Sequence, residues 1–259
     1  YDSEGHRISM QFTYPEVTEI HTFYTNSEGY LITPETLPYG DYTLVEVQAP
    51  YGYVLDSTPI PFTISQENSS TDTGVTVVKV KAQDMPQKGV IEIGKTGEIF
   101  AAVISTGGGY VDENGNEVFF PITYRPIYET QGLPGTVFQI YAAEDIVTGD
   151  GTVRAYQGEL VDEITTGKDG KATSKELYLG KYTVIEKTAS DTFYNPNGQY
   201  DVELTYAGQN VSLTSTELSL YNERQRVTVS LSKALEQDET FGIGMNDEIK
   251  NVQFGVFAD

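Results

Sequence analysis

Apolar and polar residues alternate along most of this 259-residue chain, in short runs broken by Gly, Asn, Asp and Pro. Side chains on a strand point to opposite faces in turn, so the pattern predicts many short, half-buried β-strands; helical spacing is scarce. Two runs end in an unexpected residue. In VIEIGK, Ile91, Ile93 and Lys95 fall on one face, with Glu92 and Gly94 opposite. In VTVSLSK (227–233), Val227, Val229, Leu231 and Lys233 share a face, with Thr228, Ser230 and Ser232 on the other. Each run predicts a lysine directed into a core, where an unpaired ammonium is costly.

The chain also repeats itself at the scale of a domain. LPYGDYTLVE (37–46) matches LYLGKYTVIE (177–186), each after a Gly-bearing turn, NSEGY in one and KDGKA in the other. TVFQIYAAED (136–145) matches VQFGVFAD (252–259) in the form Phe-x-aliphatic-aromatic-Ala. Glu46 and Glu186 lie 140 positions apart, and Lys95 and Lys233 lie 138 apart. These offsets divide the chain into the C-terminal part of one domain (1–86), a complete domain (87–224) and the opening strands of a third (225–259). The expected whole is a longer array of which this is a piece. The first copy has its lysine strand missing before Tyr1, and the third offers Lys233 without an acid or acceptor. The middle copy is longer, with 43 positions from Lys95 to Phe138 against 21 from Lys233 to Phe254. Its extra residues include GGGYVDENGNEVFF (107–120), which reads as a hairpin turning at Glu113–Asn116.

Two further polar residues end apolar stripes. In YTVIE, Tyr182, Val184 and Glu186 share a face; in YTLVE, Tyr42, Leu44 and Glu46 do. Eleven residues before each lysine stands another such residue. Asp84 follows Val78, Val80 and Ala82, and Asn222 follows Leu218 and Leu220. Each domain therefore aims a Lys, a Glu and an Asn or Asp at a buried face. A buried salt bridge or hydrogen-bonded cluster would satisfy them. Recurrence at fixed spacing points instead to chemistry. A desolvated lysine has a lowered pKa and is a neutral nucleophile; a glutamic acid in the same pocket has a raised one and stays protonated. Such an acid polarises the acceptor carbonyl and relays protons during attack. The product is an amide cross-link that releases ammonia from Asn or water from Asp.

KGVIEIGK, GTVFQIYAAED, GKDGKATSKELYLGKYTVIEK and LYNERQ together resemble the collagen-adhesin B-type repeat, the SpaA-like isopeptide-forming module of Gram-positive surface proteins and pilins. The resemblance covers nearly the whole chain. It implies an all-β fold of tandem prealbumin-like, inverse-immunoglobulin Greek-key sandwiches. It also implies a Lys–Asn isopeptide bond, with the lysine at Lys95, the catalytic acid at Glu186 and the acceptor at Asn222. Glu46 matches the catalytic acid of the first copy. Asp84 and Lys233 are candidate partners in the incomplete copies, Asp84 standing where Asn is commoner. The implied role is a stalk or pilin-like segment on the bacterial cell surface, anchored to the wall through regions outside this piece. Its partners would be the neighbouring repeats.

Composition narrows the alternatives. Sixteen Lys and Arg against 38 Asp and Glu give a net charge of −22, which argues against nucleic-acid partners. Zero Cys excludes disulfides and thiolate metal sites, and His6 and His21 read as surface residues; no metal or cofactor is expected. No apolar run approaches the roughly 20 residues of a membrane span. Turnover enzymes lose support because G-x-S-x-G, H-E-x-x-H, P-loop and dinucleotide motifs are absent; only single-turnover bond formation is expected. An adhesin module binding host matrix protein or glycan is the competing reading, through FYNPNGQY (193–200) and the 107–120 hairpin. LPGTV (133–137) is similar to a sortase sorting motif except for Val137, and reads as a loop entering a strand. The acidic turn DENGN (112–116) lacks the spacing of an EF-hand and reads as solvated.

Overall fold

The structure, a computed structural model, describes residues 1–13, 15–68, 77–195, 198–242, 250, 252 and 254. Two compact units emerge, Tyr1–Arg224 and Gln225–Asp259. The first begins with β1 (Met10–Phe12), β2 (Thr18–Ile20), β3 (Gly40–Leu44), β4 (Tyr53–Val54), β5 (Ile60–Ile64), a 3-10 turn at Gln66–Asn68 and β6 (Met85–Pro86). They pair antiparallel as β1–β2, β3–β5 and β4–β6. Then come β7 (Lys88–Val111), β8 (Glu117–Gly132), β9 (Val137–Ala142), β10 (Ile146–Val147), β11 (Val153–Ala155) and β12 (Leu160–Thr165). The last are β13 (Lys171–Thr173), β14 (Leu177–Tyr178), β15 (Gly180–Thr188), β16 (Phe193–Tyr194), β17 (Gln199–Leu204) and β18 (Leu213–Arg224).

The later strands build a two-layer sandwich. One sheet runs β12–β9–β15–β17, all antiparallel. The other runs β13–β7–β18–β16, with β14 and β8 also on β7, and its central β7–β18 pair is parallel. Inward residues of the two sheets interdigitate, as facing sheets require. Ile91, Ile93 and Leu220 come from one; Phe138, Ile140, Ala142, Tyr182, Val184, Val202 and Leu204 come from the other. β9 alternates half-buried and buried positions residue by residue, as its sequence predicts. The loop reading of LPGTV also holds, since buried Leu133 enters β9 through a turn at Gly135.

The 107–120 hairpin is present but is only the tip of a longer element. β7 and β8 leave the sandwich as a two-stranded ribbon paired from Phe100↔Tyr128 to Val111↔Glu117. The extra residues thus prolong the lysine strand itself. Both faces of the ribbon are open, with Phe100, Tyr110, Phe119, Phe120 and Tyr124 all exposed. At the tip, Asp112 Oδ1 accepts the backbone N–H groups of Asn114 and Asn116, and Gly115 adopts φ 82°. DENGN is therefore a hydrogen-bonded turn.

Residues 1–86 reproduce part of the sandwich pattern. β3–β5 pairs Gly40↔Ile64 and Tyr42↔Phe62, as β15–β17 pairs Gly180↔Leu204 and Tyr182↔Val202. The Tyr42 hydroxyl donates to Pro38 O at 2.8 Å, and the Tyr182 hydroxyl to Tyr178 O at 2.6 Å. Tyr53↔Pro86 in β4–β6 corresponds to Phe193↔Arg224 in β16–β18. Two expectations for this region are not met in full. Leu44 is exposed, so the Tyr42–Leu44–Glu46 stripe is only partly covered. Val78–Asp84 joins no ladder, although Val78 and Val80 are half-buried and Lys79 and Lys81 exposed. These residues meet the sandwich where β7 begins. Gln87 N donates to Gly52 O, Leu55 N to Gln209 O, and the buried Gln87 amide reaches Gly208 O and accepts from Ala207 N.

In Gln225–Asp259 the strand expected over 227–233 is not formed. Val227, Val229 and Leu231 are 87%, 82% and 61% exposed, and Lys233 is exposed as well. Alternation supplies one apolar face, but a strand also needs a neighbour for its N–H and C=O groups. Among the described residues, none pairs with this segment. Most of the expected VQFGVFAD strand (252–259) lies outside the described residues; Val252 and Phe254, which are described, are exposed.

Candidate cross-linking site

Lys95 sits in β7 between the inward residue Ile93 and buried Gly97, on the face the alternation assigns to it. Its backbone is clamped from the opposite edge. Lys95 N donates to Gly170 O at 2.7 Å, and Lys95 O accepts from Leu133 N at 2.9 Å. Asn222 lies on the adjacent parallel strand β18, and Glu186 ends the inward stripe of β15 in the facing sheet. Two strands of one sheet and one of the other therefore meet at a single point.

The side chains close a triangle. Lys95 Nζ donates to Glu186 Oε2 at 2.8 Å and to Asn222 Oδ1 at 2.5 Å, while Asn222 Nδ2 donates to Glu186 Oε1 at 2.6 Å. The side chains of Lys95 and Glu186 are 0% and 1% exposed, and Asn222 is 1% exposed. Burial pushes the Lys95 ammonium below the usual lysine range, against the hydrogen bond and charge of Glu186, which pull it up. The Phe138 ring centroid lies 5.9 Å from Nζ and closes the apolar side. Every buried side-chain nitrogen and oxygen among the described residues has a hydrogen-bond partner.

Two contributors are not among the sequence candidates. Asn195 Nδ2 donates to Glu186 Oε2 at 2.5 Å, so that oxygen receives both the lysine and an amide. Asn195 follows β16 in FYNPNGQY, a stretch read as a ligand contact, and its own sequence context carries no periodic signal. Gly170, in the KDGKA turn, adopts φ 76°, and a Cβ there would strike Lys95 O and Gly132 Cα. A turn was legible; its contact with the lysine strand was not.

The other candidates divide. Glu46 and Asp84 are brought together as hydrogen-bonded carboxyls, both half-buried. Lys233 stands exposed in the other unit. Desolvation first, then the hydrogen bond and charge of Asp84, push the Glu46 carboxyl up to about 7. A carboxyl raised on folding stabilises the fold while protonated, and that contribution is lost as pH climbs from its unfolded value through about 7. Melting of the wild-type chain should therefore weaken across this window relative to Glu46→Gln, whose pH profile should be flatter; parallel profiles would refute the shift. His6 and His21 are exposed, His6 beside Asp2. Among the described residues no cluster of three or more His, Cys, Asp or Glu is arranged to hold a metal, and no helix is long and apolar enough to cross a membrane.

An all-β sandwich with a lysine, an acid and an amide joined across its two sheets defines the class. Residues 2–82 and 127–218 match the family model of the SpaA prealbumin-like fold domain, and the chain belongs to that family. The matched blocks take in β1–β5 and β9–β17 with parts of β8 and β18; they leave out all of β7, Lys95 included, and Asn222. No match was found among curated protein sequences. Among solved structures, the chain is similar to the Bacillus anthracis TIE protein, with 21% identity over 86% of this chain and 32% of that one and a TM-score of 0.45. It is also similar to GBS52, the minor pilin of Streptococcus agalactiae, with 16% identity over 84% and 72% of the two chains and a TM-score of 0.33. The major pilin SpaD of Corynebacterium diphtheriae matches at 15% identity over 53% and 30%, with a TM-score of 0.33. The chain spans about a third of the length of the first of these.

Proposed function

We propose that Lys95 and Asn222 join in an amide bond with Glu186 as proton carrier. We further propose that the chain is a load-bearing segment of a Gram-positive surface stalk or pilus, anchored to the wall through regions beyond this sequence. The closed, water-excluded triangle of Lys95, Glu186 and Asn222 carries this reading. Glu186 takes a proton from the lysine ammonium, a transfer favoured by the desolvation that lowers the lysine pKa. The neutral Nζ attacks Asn222 Cγ and the C–N bond forms. The Cγ–Nδ2 bond breaks as Nδ2 takes the proton that Glu186 returns and leaves as ammonia; Glu186 then takes the second proton from Nζ and ends protonated beside the new amide. Two costly buried groups become one neutral amide. The reaction occurs once per chain and regenerates no catalyst, so this is not a turnover enzyme.

The linked residues lie 127 positions apart, on the first and last strands of the complete copy. By the loop-entropy reasoning used for disulfides, closing such a loop stabilises by about 5 kcal/mol. The bond would resist reduction, which suits a Cys-free chain. In this reading residues 1–86 and 87–224 are successive domains of an array, and 225–259 opens the next. Tryptic digestion tests the bond directly. Cleavage at Lys95 should fail, and Gly89–Arg154 should appear joined to Thr188–Arg224, short by one ammonia. Recovery of these peptides unlinked, with cleavage after Lys95, would refute it.

The exposed aromatic ribbon of β7–β8 supports a second reading, an adhesive surface for host matrix protein or glycan. Binding to a matrix or glycan panel that disappears when residues 102–125 are replaced by a short turn would favour it.

A further inference from the structure

We propose that Asn195 is the positioning residue of the cross-linking site, fixing the carboxyl of Glu186 against Lys95 and Asn222 and so setting how fast the two join. The inference rests on the reading of Lys95, Glu186 and Asn222 given above and adds a fourth member to it.

The Glu186 carboxyl has to present one oxygen to each reactant. Oε2 receives Lys95 Nζ at 2.8 Å, and Oε1 receives Asn222 Nδ2 at 2.6 Å. The last torsion of a glutamate is broad and roughly two-fold, so the side chain by itself does not hold its carboxyl plane. Nor can the reactants hold it to the end. In the proposed reaction Nζ gives up two protons and becomes an amide nitrogen, and Nδ2 leaves as ammonia. The third donor, Asn195 Nδ2 on Oε2 at 2.5 Å, makes and breaks no covalent bond. Its contact persists while the other two change, and a held geometry is what speeds such a step.

The fold delivers this amide to this place. Asn195 stands between β16 and β17, where the chain crosses from one sheet to the other. Before it, Phe193 and Tyr194 pair with Arg224 and Glu223, next to Asn222. After it, Gly198 O accepts the Glu186 N–H at 2.5 Å. Asn195 is thus tied on one side to the strand of the acceptor and on the other to the strand of the acid. Gly198 also leaves the room the amide needs. A Cβ there would lie 2.8 Å from Asn195 Nδ2 and 3.1 Å from Glu186 Cβ and O.

Asn195 is also hydrogen-bonded to the Tyr200 hydroxyl, and the Tyr200 ring packs against the core opposite Val184. Desolvation first, then the charge of Glu186, push the Tyr200 phenol up, with the Asn195 hydrogen bond opposing them. The hydroxyl therefore stays neutral and steadies the amide without adding charge. Lys95, Glu186 and Tyr200 are the titratable groups in this line of contacts, and Asn195 is the neutral link between the last two. A residue that only fastened its loop would affect folding. One that orients the acid affects the rate of joining, and does so by donating a hydrogen.

The test follows ammonia loss from the full chain by intact mass, sampled at intervals after cell-free synthesis and transfer to buffers from about pH 5 to about pH 8. Asn195→Ala should join Lys95 to Asn222 about 10- to 100-fold more slowly than the native chain at every pH, the cost of a misplaced reacting group. Asn195→Asp separates orientation from loop fastening. The introduced acid is close in shape to the amide and donates its O–H to Oε2 when protonated, but repels Glu186 when ionised. Its rate should approach the native rate at the acidic end and fall about tenfold or more behind at the alkaline end. Joining of Asn195→Ala at the native rate, or an Asn195→Asp defect equal at both ends, overturns the inference. In both cases the native chain still loses its ammonia, and the reading of Lys95, Glu186 and Asn222 stands. A native chain that never loses ammonia overturns that reading and this inference together.

Discussion

A chain with Glu186 replaced by Ala should show the full mass of its own sequence, without the one-ammonia deficit expected of the native chain, and should melt about 10–20 °C lower. The temperature range follows from about 5 kcal/mol of lost loop constraint in a domain of this size. In the proposed reaction Glu186 contributes no link to the product, and its loss acts by removing the proton carrier. The chain should still fold, because Phe138, Ile140, Tyr182 and Val184 keep the two sheets packed. One confounding effect has the same sign. Without Glu186, a buried Lys95 loses its charge partner, which itself costs stability. Lys95→Met separates the two, since it removes the bond and leaves no buried charge. Both variants should show the full mass, while Lys95→Met should melt above Glu186→Ala. A Glu186→Ala chain that still lacks one ammonia would overturn the role given to the acid.

Gly170→Ala should be the most damaging small substitution outside the triad. The residue adopts φ 76°, where an L side chain is strained, and its Cβ would strike Lys95 O and Gly132 Cα. Gly170 O also accepts the Lys95 N–H, so relief of the clash must move the strand that carries Lys95. A loss of about 2–4 kcal/mol is expected from strain and displaced packing together. Gly151 is the control. It has φ 79° but nothing within 4 Å of its Cβ position, so Gly151→Ala should cost about 1–2 kcal/mol from backbone strain alone. Intact mass of freshly purified Gly170→Ala should show a fraction of chains without the ammonia loss, and Gly151→Ala should show none. Equal behaviour of the two variants would remove the clamp from the account.

Much of the site was legible because strand periodicity is local. On a strand, a residue's face depends only on whether its position is odd or even, so Ile91, Ile93 and Lys95 could be assigned inward without any partner known. The same holds for Tyr182, Val184 and Glu186, and for Leu218, Leu220 and Asn222, all of which turn inward in the structure. The domain-scale repeat added the pairing of candidates, since equal offsets mark equivalent places. Asn195 and Gly170 could not be found this way. Each acts from a turn, where no period fixes direction, and each touches a residue distant in sequence.

The failures have the same root. VTVSLSK and VIEIGK carry one pattern, yet β7 is a central strand and 227–233 is exposed coil. Alternation determines which face a segment would bury. Whether the segment becomes a strand depends on backbone partners from elsewhere in the chain, which β18, β13 and β8 give to β7 and which no described residue gives to 227–233. The ribbon shows the converse: paired along its length by β8, β7 runs to Val111 although its far half buries nothing. By itself, then, the sequence determined the all-β class, the inward faces and the identities of Lys95, Glu186 and Asn222. Tertiary structure decided which stripes gained neighbours, how far the lysine strand extends, and that Lys95, Glu186 and Asn222 meet within hydrogen-bonding distance. Period is a property of a few consecutive residues, whereas hydrogen-bonded partnership is settled only when distant segments pack.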